Sequence, residues 1–196
     1  MHHRILIAAS LLTPGVALAE ITASTYLGGG VEQGFVGATG WYFTPSTDVV
    51  VTRLGLLDLG DPGFIDAHQI GVFRAADDAA LVTTSIASGL TGELIDGSRF
   101  VDIPELALTG GERYYIVADN WFNDTYAFGD ASVEFAPEIA WNGYASSPVN
   151  DIFNGIENIG GQEGNLGPNF RFRLVPAPAS AGVLAGAGLA WSRRRR

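Results

Sequence analysis

The sequence predicts an all-β fold, an antiparallel β-sandwich of the jelly-roll or immunoglobulin-like kind. Three observations lead there. Between residues 20 and 175, short segments rich in Val, Ile, Thr, Phe and Tyr alternate with clusters of Gly, Pro, Asn and Asp, the pattern of strands joined by turns. No run in that interval carries the spacing of a long amphipathic helix. No internal repeat and no long linker divides it, so residues 20–174 are expected to form one domain.

Taken in order, the chain opens with Met1-His2-His3-Arg4, the apolar run Ile5–Leu12 and a break at Pro14-Gly15. Ala17-Leu18-Ala19 follows with the small-x-small pattern read before cleavage, so residues 1–19 are a signal peptide and the mature chain starts at Glu20. Ile21–Tyr26 reads as a first strand, closed by Gly28-Gly29-Gly30. Phe35–Phe43 and Val49–Leu57 come next, separated by the turn Thr44–Asp48. In Val49–Leu57 strict alternation puts Val50, Thr52, Leu54 and Leu56 on the core face, since the opposite face would bury Arg53. Further strands are expected at Ala67–Arg74, Ala80–Ala87, Ser98–Ile103 and Glu105–Leu108. Gly110-Gly111 then turns the chain into Arg113–Ala118, apolar on both faces and therefore central. After that the sequence loosens: residues 119–130 and 141–168 hold much of the Asn, Gly and Asp, with short strands only at Ser132–Phe135 and Asn169–Val175. Binding residues, if the protein has them, belong in that stretch.

The charge balance narrows the partners. The chain has 11 Arg and no Lys; outside the signal and the tail, six Arg face 21 acidic residues, a net charge of about −15. Such a surface repels phosphate backbones, so no nucleic-acid partner is expected. There is no cysteine, and stability must come from packing.

Four groups of residues are candidates for chemistry. His68 is the one histidine beyond the signal; it rules out a two-histidine metal site and reads as a hydrogen-bonded edge residue opening a strand, not as a catalytic base. Asp58, Asp61 and Asp66 offer hard oxygen ligands on a Gly/Pro loop, as calcium requires, although a solvated turn gives the same pattern and the spacing is not that of an EF-hand. Asp119, Asn120, Asn123, Asp124 and Asp130 form a second polar cluster of the same ambiguity. Trp121, Phe122, Tyr126, Trp141 and Tyr144 lie in or beside loops. They either plug the open end of the sandwich or stack on sugar rings, with Trp121, Tyr126, Trp141 and Tyr144 as the glycan contacts. No pair of carboxylates stands out for glycoside hydrolysis among so many acids. No cofactor other than calcium is indicated.

The last 22 residues, 175–196, combine Val175-Pro176-Ala177-Pro178, an uncharged stretch from Ala177 to Ser192, and Arg193-Arg194-Arg195-Arg196. As a helix the uncharged stretch rises roughly 24 Å at about 1.5 Å per residue, short of a hydrocarbon core of about 30 Å. The arginines would hold its end on the cytoplasmic side of the inner membrane. This order of parts resembles the PEP-CTERM sorting signal of Gram-negative bacteria, with Pro176-Ala177-Pro178 standing where that family has Pro-Glu-Pro. The resemblance implies an exosortase-like processing enzyme as partner and the cell envelope or surrounding matrix as destination.

A second resemblance covers roughly residues 40–172. Gly40-Trp41-Tyr42-Phe43-Thr44, Val51-Thr52-Arg53-Leu54-Gly55, Asp66–Phe73, Leu106-x-Leu-x-x-Gly-Gly111-Glu-Arg-Tyr-Tyr115 and Gly167-Pro168-Asn169-Phe170-Arg171-Phe172 look like a DUF4082-like β-sandwich domain. It implies fold and location and carries no activity. The function expected from the sequence is a secreted, envelope-sorted, non-catalytic surface or matrix protein. The alternatives are a module binding exopolysaccharide and, from a different class, a polysaccharide hydrolase.

Overall fold

The computed structural model describes residues 19–60, 62–154, 156–158 and 166–176. The expected signal peptide apart from Ala19, and the tail beyond Pro176, lie outside the described residues. Within them the chain is all-β, with no helix. The strands are β1 (Ile21–Thr22), β2 (Ser24–Gly28), β3 (Val31–Glu32), β4 (Ala38–Pro45), β5 (Val49–Leu57), β6 (His68–Arg74), β7 (Ala79–Ile86) and β8 (Glu93–Ile95). They continue as β9 (Ser98–Leu108), β10 (Tyr114–Ala118), β11 (Tyr126–Ala127), β12 (Ser132–Phe135), β13 (Ile139–Ser147), β14 (Glu157–Asn158) and β15 (Pro168–Leu174).

Two antiparallel sheets face each other. One runs β1-β15-β5-β9-β8, the other β14-β13-β4-β10-β6-β7; the short pairs β11-β3 and β12-β2 flank them. Between the sheets lie Trp41 and Phe43 from β4, Phe170 and Phe172 from β15, and the aliphatic side chains of β5, β6 and β10. Trp41 stacks on Phe170 at 5.7 Å and donates its indole N–H to the Pro168 carbonyl at 2.8 Å, which satisfies the one polar atom of an otherwise apolar side chain. Burying each such ring contributes about 1.5–3 kcal/mol.

The central strand expected at Arg113–Ala118 is β10, between β4 and β6, with all five residues buried. Its two faces serve two cores. Tyr114, Ile116 and Ala118 join the intersheet core. Tyr115 and Val117 join Tyr42, Phe73, Ala38 and Ala145 on the outer face. Ile152 covers that outer cluster, and Phe153 meets Phe73 edge-on at 5.8 Å.

Bulges overturn two expectations. In β5 Leu54 and Leu56 are buried as expected, but Val49 and Val51 are buried in place of Val50 and Thr52, and Gly55 and Leu57 are buried as well. Against β15 the register runs from Phe172↔Val51 to Arg171↔Arg53, so β5 carries one extra residue there, which lets both halves of the strand point apolar side chains inward. Arg53 is turned outward, where Glu20, Glu93 and Asp102 surround it. Residues 141–147, expected to be loop, belong to β13. Within it Asn142-Gly143 forms a bulge against β4, with Gly143 at φ 120°. Backbone pairing along Ile139–Ser147 overrides the polar, Gly/Asn-rich composition that reads as loop. The expected strands Ser98–Ile103 and Glu105–Leu108 form one strand, β9, with Pro104 on the stretch beyond the short partner β8, where a missing donor breaks no ladder.

The registers place the strand ends at two poles. Phe43, Val49, Arg74, Leu108, Tyr114, Ile139 and Leu174 sit at one; Leu57, His68, Ile86, Ser98, Ala118 and Ser147 sit at the other. The first, here the turn pole, is closed by the short connections 46–48, 75–78, 109–113 and 136–138. The second, the loop pole, carries the segments 58–67, 87–92 and 119–125. Because β1 pairs antiparallel with β15 (Ile21↔Phe172), the chain before Ile21 and the chain after Leu174 leave together at the turn pole.

Candidate functional site

The loop pole is where the sequence places its candidate residues, and its organising group is Asp124. The Asp124 side chain accepts the backbone N–H of Ile65 at 2.8 Å and of Asp66 at 2.9 Å. It also meets Nε2 of His68 at 3.0 Å. One carboxylate thereby ties the 119–125 segment to the 58–67 loop and to the start of β6. His68 lies on a buried strand between β10 and β7, not at an edge as expected. Its Nδ1 is 2.6 Å from the Asp119 carbonyl oxygen, so both ring nitrogens face oxygen partners. The ring is packed by Phe64 at 5.4 Å and Trp121 at 4.9 Å. The Asp119 carboxylate accepts the Gln69 N–H at 2.7 Å; burial raises its pKa, opposed by that hydrogen bond and by His68. These contacts make His68 a structural pivot, with no hydroxyl group in its hydrogen-bond set.

Of the aspartates proposed for calcium, Asp58 and Asp66 each have protein partners. Asp58 is buried, forms an ion pair with Arg99, and takes the Gly63 N–H on both carboxylate oxygens at 3.2 Å. Its lone pairs are spent on closing the loop. Asp66 accepts the Asn123 amide at 2.8 Å, and Asp61 lies outside the described residues. Among the described residues, no three His or carboxylate side chains come together in a way that could hold a metal ion. In the second polar cluster Asn123 and Asp130 are exposed. Asn120, at φ 65°, donates its side-chain amide to the Ala67 carbonyl at 2.9 Å and its backbone N–H to Asn150 Oδ1 at 2.7 Å.

Burial corrects three of the four proposed glycan contacts, Trp121, Tyr126 and Tyr144. Trp121 is 0% exposed, donates its indole N–H to the Ala118 carbonyl at 2.9 Å and meets Tyr126 edge-on at 5.7 Å. Gly167 lies flat against it: a Cβ at that position would fall 2.3 Å from the indole ring. Tyr126 and Tyr144 are buried as well. Trp141 is half-buried, packed against Tyr144 at 4.9 Å, with its ring nitrogen out of solvent. A ring that is sealed on both faces by protein has no face left for a sugar. Of these aromatics Phe122 is the one exposed, at 56%.

A cleft of about 350 Å³ remains between the two tied loops, lined among others by Gln33, Leu59, Ile65, Asn123, Asp124 and Thr125. Sequence reasoning missed that Asp124 and His68 are partners, because 56 residues separate them and neither sits in a local motif. It also missed Arg99, whose role appears only once β9 lies beside the 58–67 loop.

At the other pole, Val175 and Pro176 of the sorting motif are described, and Val175 donates its N–H to the Asp48 carbonyl. Ala177, Pro178 and Arg193–Arg196 lie outside the described residues, as does Ala17 of the cleavage motif. Ala19 is exposed. Glu20 is held by Arg171, which pairs with its carboxylate at 3.2 Å and donates to its carbonyl at 3.1 Å. No protein-family model matches the chain, and no curated protein matches it either.

Proposed function

We propose that the chain is a secreted, envelope-sorted, non-catalytic surface or matrix protein: a jelly-roll or immunoglobulin-like sandwich carried by a PEP-CTERM-type tail and processed by an exosortase-like enzyme. The observation that carries this reading is the pairing of β1 with β15. It brings the expected first mature residue, Glu20, beside the strand from which the tail departs. Cleavage of the signal and anchoring by the tail then take place at one pole, and the loop pole faces away from the membrane. The non-catalytic part is supported by the loop pole itself. Its buried carboxylates and His68 are each committed to backbone N–H groups, Arg99 or one another, which leaves none within reach of a substrate proton.

The test is removal of residues 177–196, which leaves β15 whole. The full chain is expected in the envelope fraction and the shortened one in the medium. Retention of the shortened chain on the cells overturns the sorting role, and recovery of the full chain from the cytoplasm overturns secretion.

A further inference from the structure

The turn pole holds an arginine that the rest of the molecule leaves available. Among the described residues, Arg53, Arg74, Arg99, Arg171 and Arg173 all form ion pairs with carboxylates. In a domain with about 3.5 acids for every arginine, that is the expected outcome. Arg113 is the exception: no carboxylate of a described residue lies within salt-bridge distance of it. The neighbouring acids are engaged elsewhere, Asp77 by Arg74, Asp78 by the Tyr115 hydroxyl and Glu112 by the Tyr114 hydroxyl.

Arg113 is nevertheless fixed in place. Its guanidinium lies over the Tyr42 ring, 4.6 Å from the centroid, and Nη2 donates to the Asn142 carbonyl at 3.0 Å. Asn142 is the extra residue of the β13 bulge, so the bulge supplies the acceptor that aims the fork. With Nη2 engaged, the guanidinium keeps further N–H donors that meet no acceptor among the described residues. They border a cleft of about 770 Å³ lined by Tyr42, Arg74, Ala75, Ala76, Thr109, Glu112 and Arg113. The Tyr42 hydroxyl makes no hydrogen bond to a described residue. Burial and Asp78 raise its pKa, against the lowering effect of Arg113, so it stays a donor.

We infer that this cleft binds a carboxylate-bearing saccharide unit, a uronate, with Arg113 taking the carboxylate. A planar fork with unused donors matches a carboxylate. Two alanines are the only aliphatic lining, which suits a hydroxylated ring and gives nothing to an acyl chain or an apolar peptide side chain. Arg74 and Thr109 bring further donors. The acidic surface around the cleft disfavours long polyanions, so a short oligomer is the fitting ligand. The choice of a sugar as the source of the carboxylate rests on the proposed extracellular destination; the anion site itself does not.

The test is calorimetric titration of the purified full chain in detergent with a trigalacturonate, a neutral galactose trimer and inorganic phosphate. Trigalacturonate is expected to bind and the neutral trimer not to. Arg113→Gln should weaken binding about tenfold to a hundredfold, the loss of a charged hydrogen-bonded pair, and Arg113→Lys should restore it only in part. Arg173→Gln removes the same charge elsewhere on the turn pole and should change binding little. Thermal midpoints of the variants show that each is folded. Equal weakening by Arg173→Gln, equal binding of the neutral trimer, or no binding at all overturns the site. Phosphate binding as tight as trigalacturonate overturns the sugar assignment. Because binding is measured on purified protein, none of these outcomes depends on where the cell sends the chain.

Discussion

The two poles of the sandwich solve the same problem, closing the end of a two-sheet core, by opposite means. At the turn pole the connections are short and glycine does the closing. Gly111 takes φ 82° and donates its N–H to the Pro45 carbonyl at 2.8 Å; Gly110 sits where a Cβ would meet the Thr47 backbone at 2.7 Å. Charged and polar side chains are left over there, and Arg113 is one of them. At the loop pole the connections are long and side chains close the end. Trp121, Tyr126 and Phe64 fill it, and Asp124, Asp58, His68 and Arg99 tie the loops down. A long loop has many backbone N–H groups to satisfy, and buried aspartates do that at Ile65, Asp66, Gly63 and Gln69. The acid-rich composition is thus part structure: at the loop pole its aspartates hold backbone.

The sharpest way to break this contrast is Trp121→Ala. If the loop pole is closed by packing, the variant should lose about 3–5 kcal/mol, read as a lower urea midpoint; a loss under about 1 kcal/mol would mean that the indole is dispensable there.

Alkaline titration sharpens it next. Burial, then the Glu32 charge and hydrogen bond, raise the Tyr126 pKa to about 12. In the unfolded chain the phenol loses its proton near pH 10. Between those values the unfolded state releases a proton that the folded state keeps, so stability falls as pH rises. Urea midpoints of Tyr126→Phe, compared with the parent across that window, should fall less steeply. Parallel curves would mean that Tyr126 is not sealed.

The smallest effect belongs to the turn pole. Gly111→Ala places a side chain at positive φ in an open position, and should cost about 1 kcal/mol through backbone strain alone. A cost as large as that of Trp121→Ala would erase the difference between the poles.

Much of the fold was legible. Arg113–Ala118 read as central because it is apolar on both faces, and β10 is central. Gly110-Gly111 read as a turn needing positive φ, and Gly111 has it. What failed was alternation in β5 and the loop expected from residue 141 on, each at a strand with a bulge. A bulge is decided by the partner strand, which supplies or withholds the matching residue, and no local pattern reveals it. The candidate site was less legible. Trp121 reads the same in sequence whether its ring is displayed or sealed; Gly167, far along the chain, seals it.

By itself the sequence determined the all-β class, the acidic surface, the absence of cysteine and the strand-forming segments, because side-chain period and turn chemistry act over a few residues. Tertiary structure alone decided which aspartates hold backbone, that His68 meets Asp124, that both chain ends leave at one pole, and that Arg113 forms no ion pair with a described carboxylate. Each of these is a contact between strands distant in sequence, set by register and by where the sheets face each other, and local pattern carries no information about either.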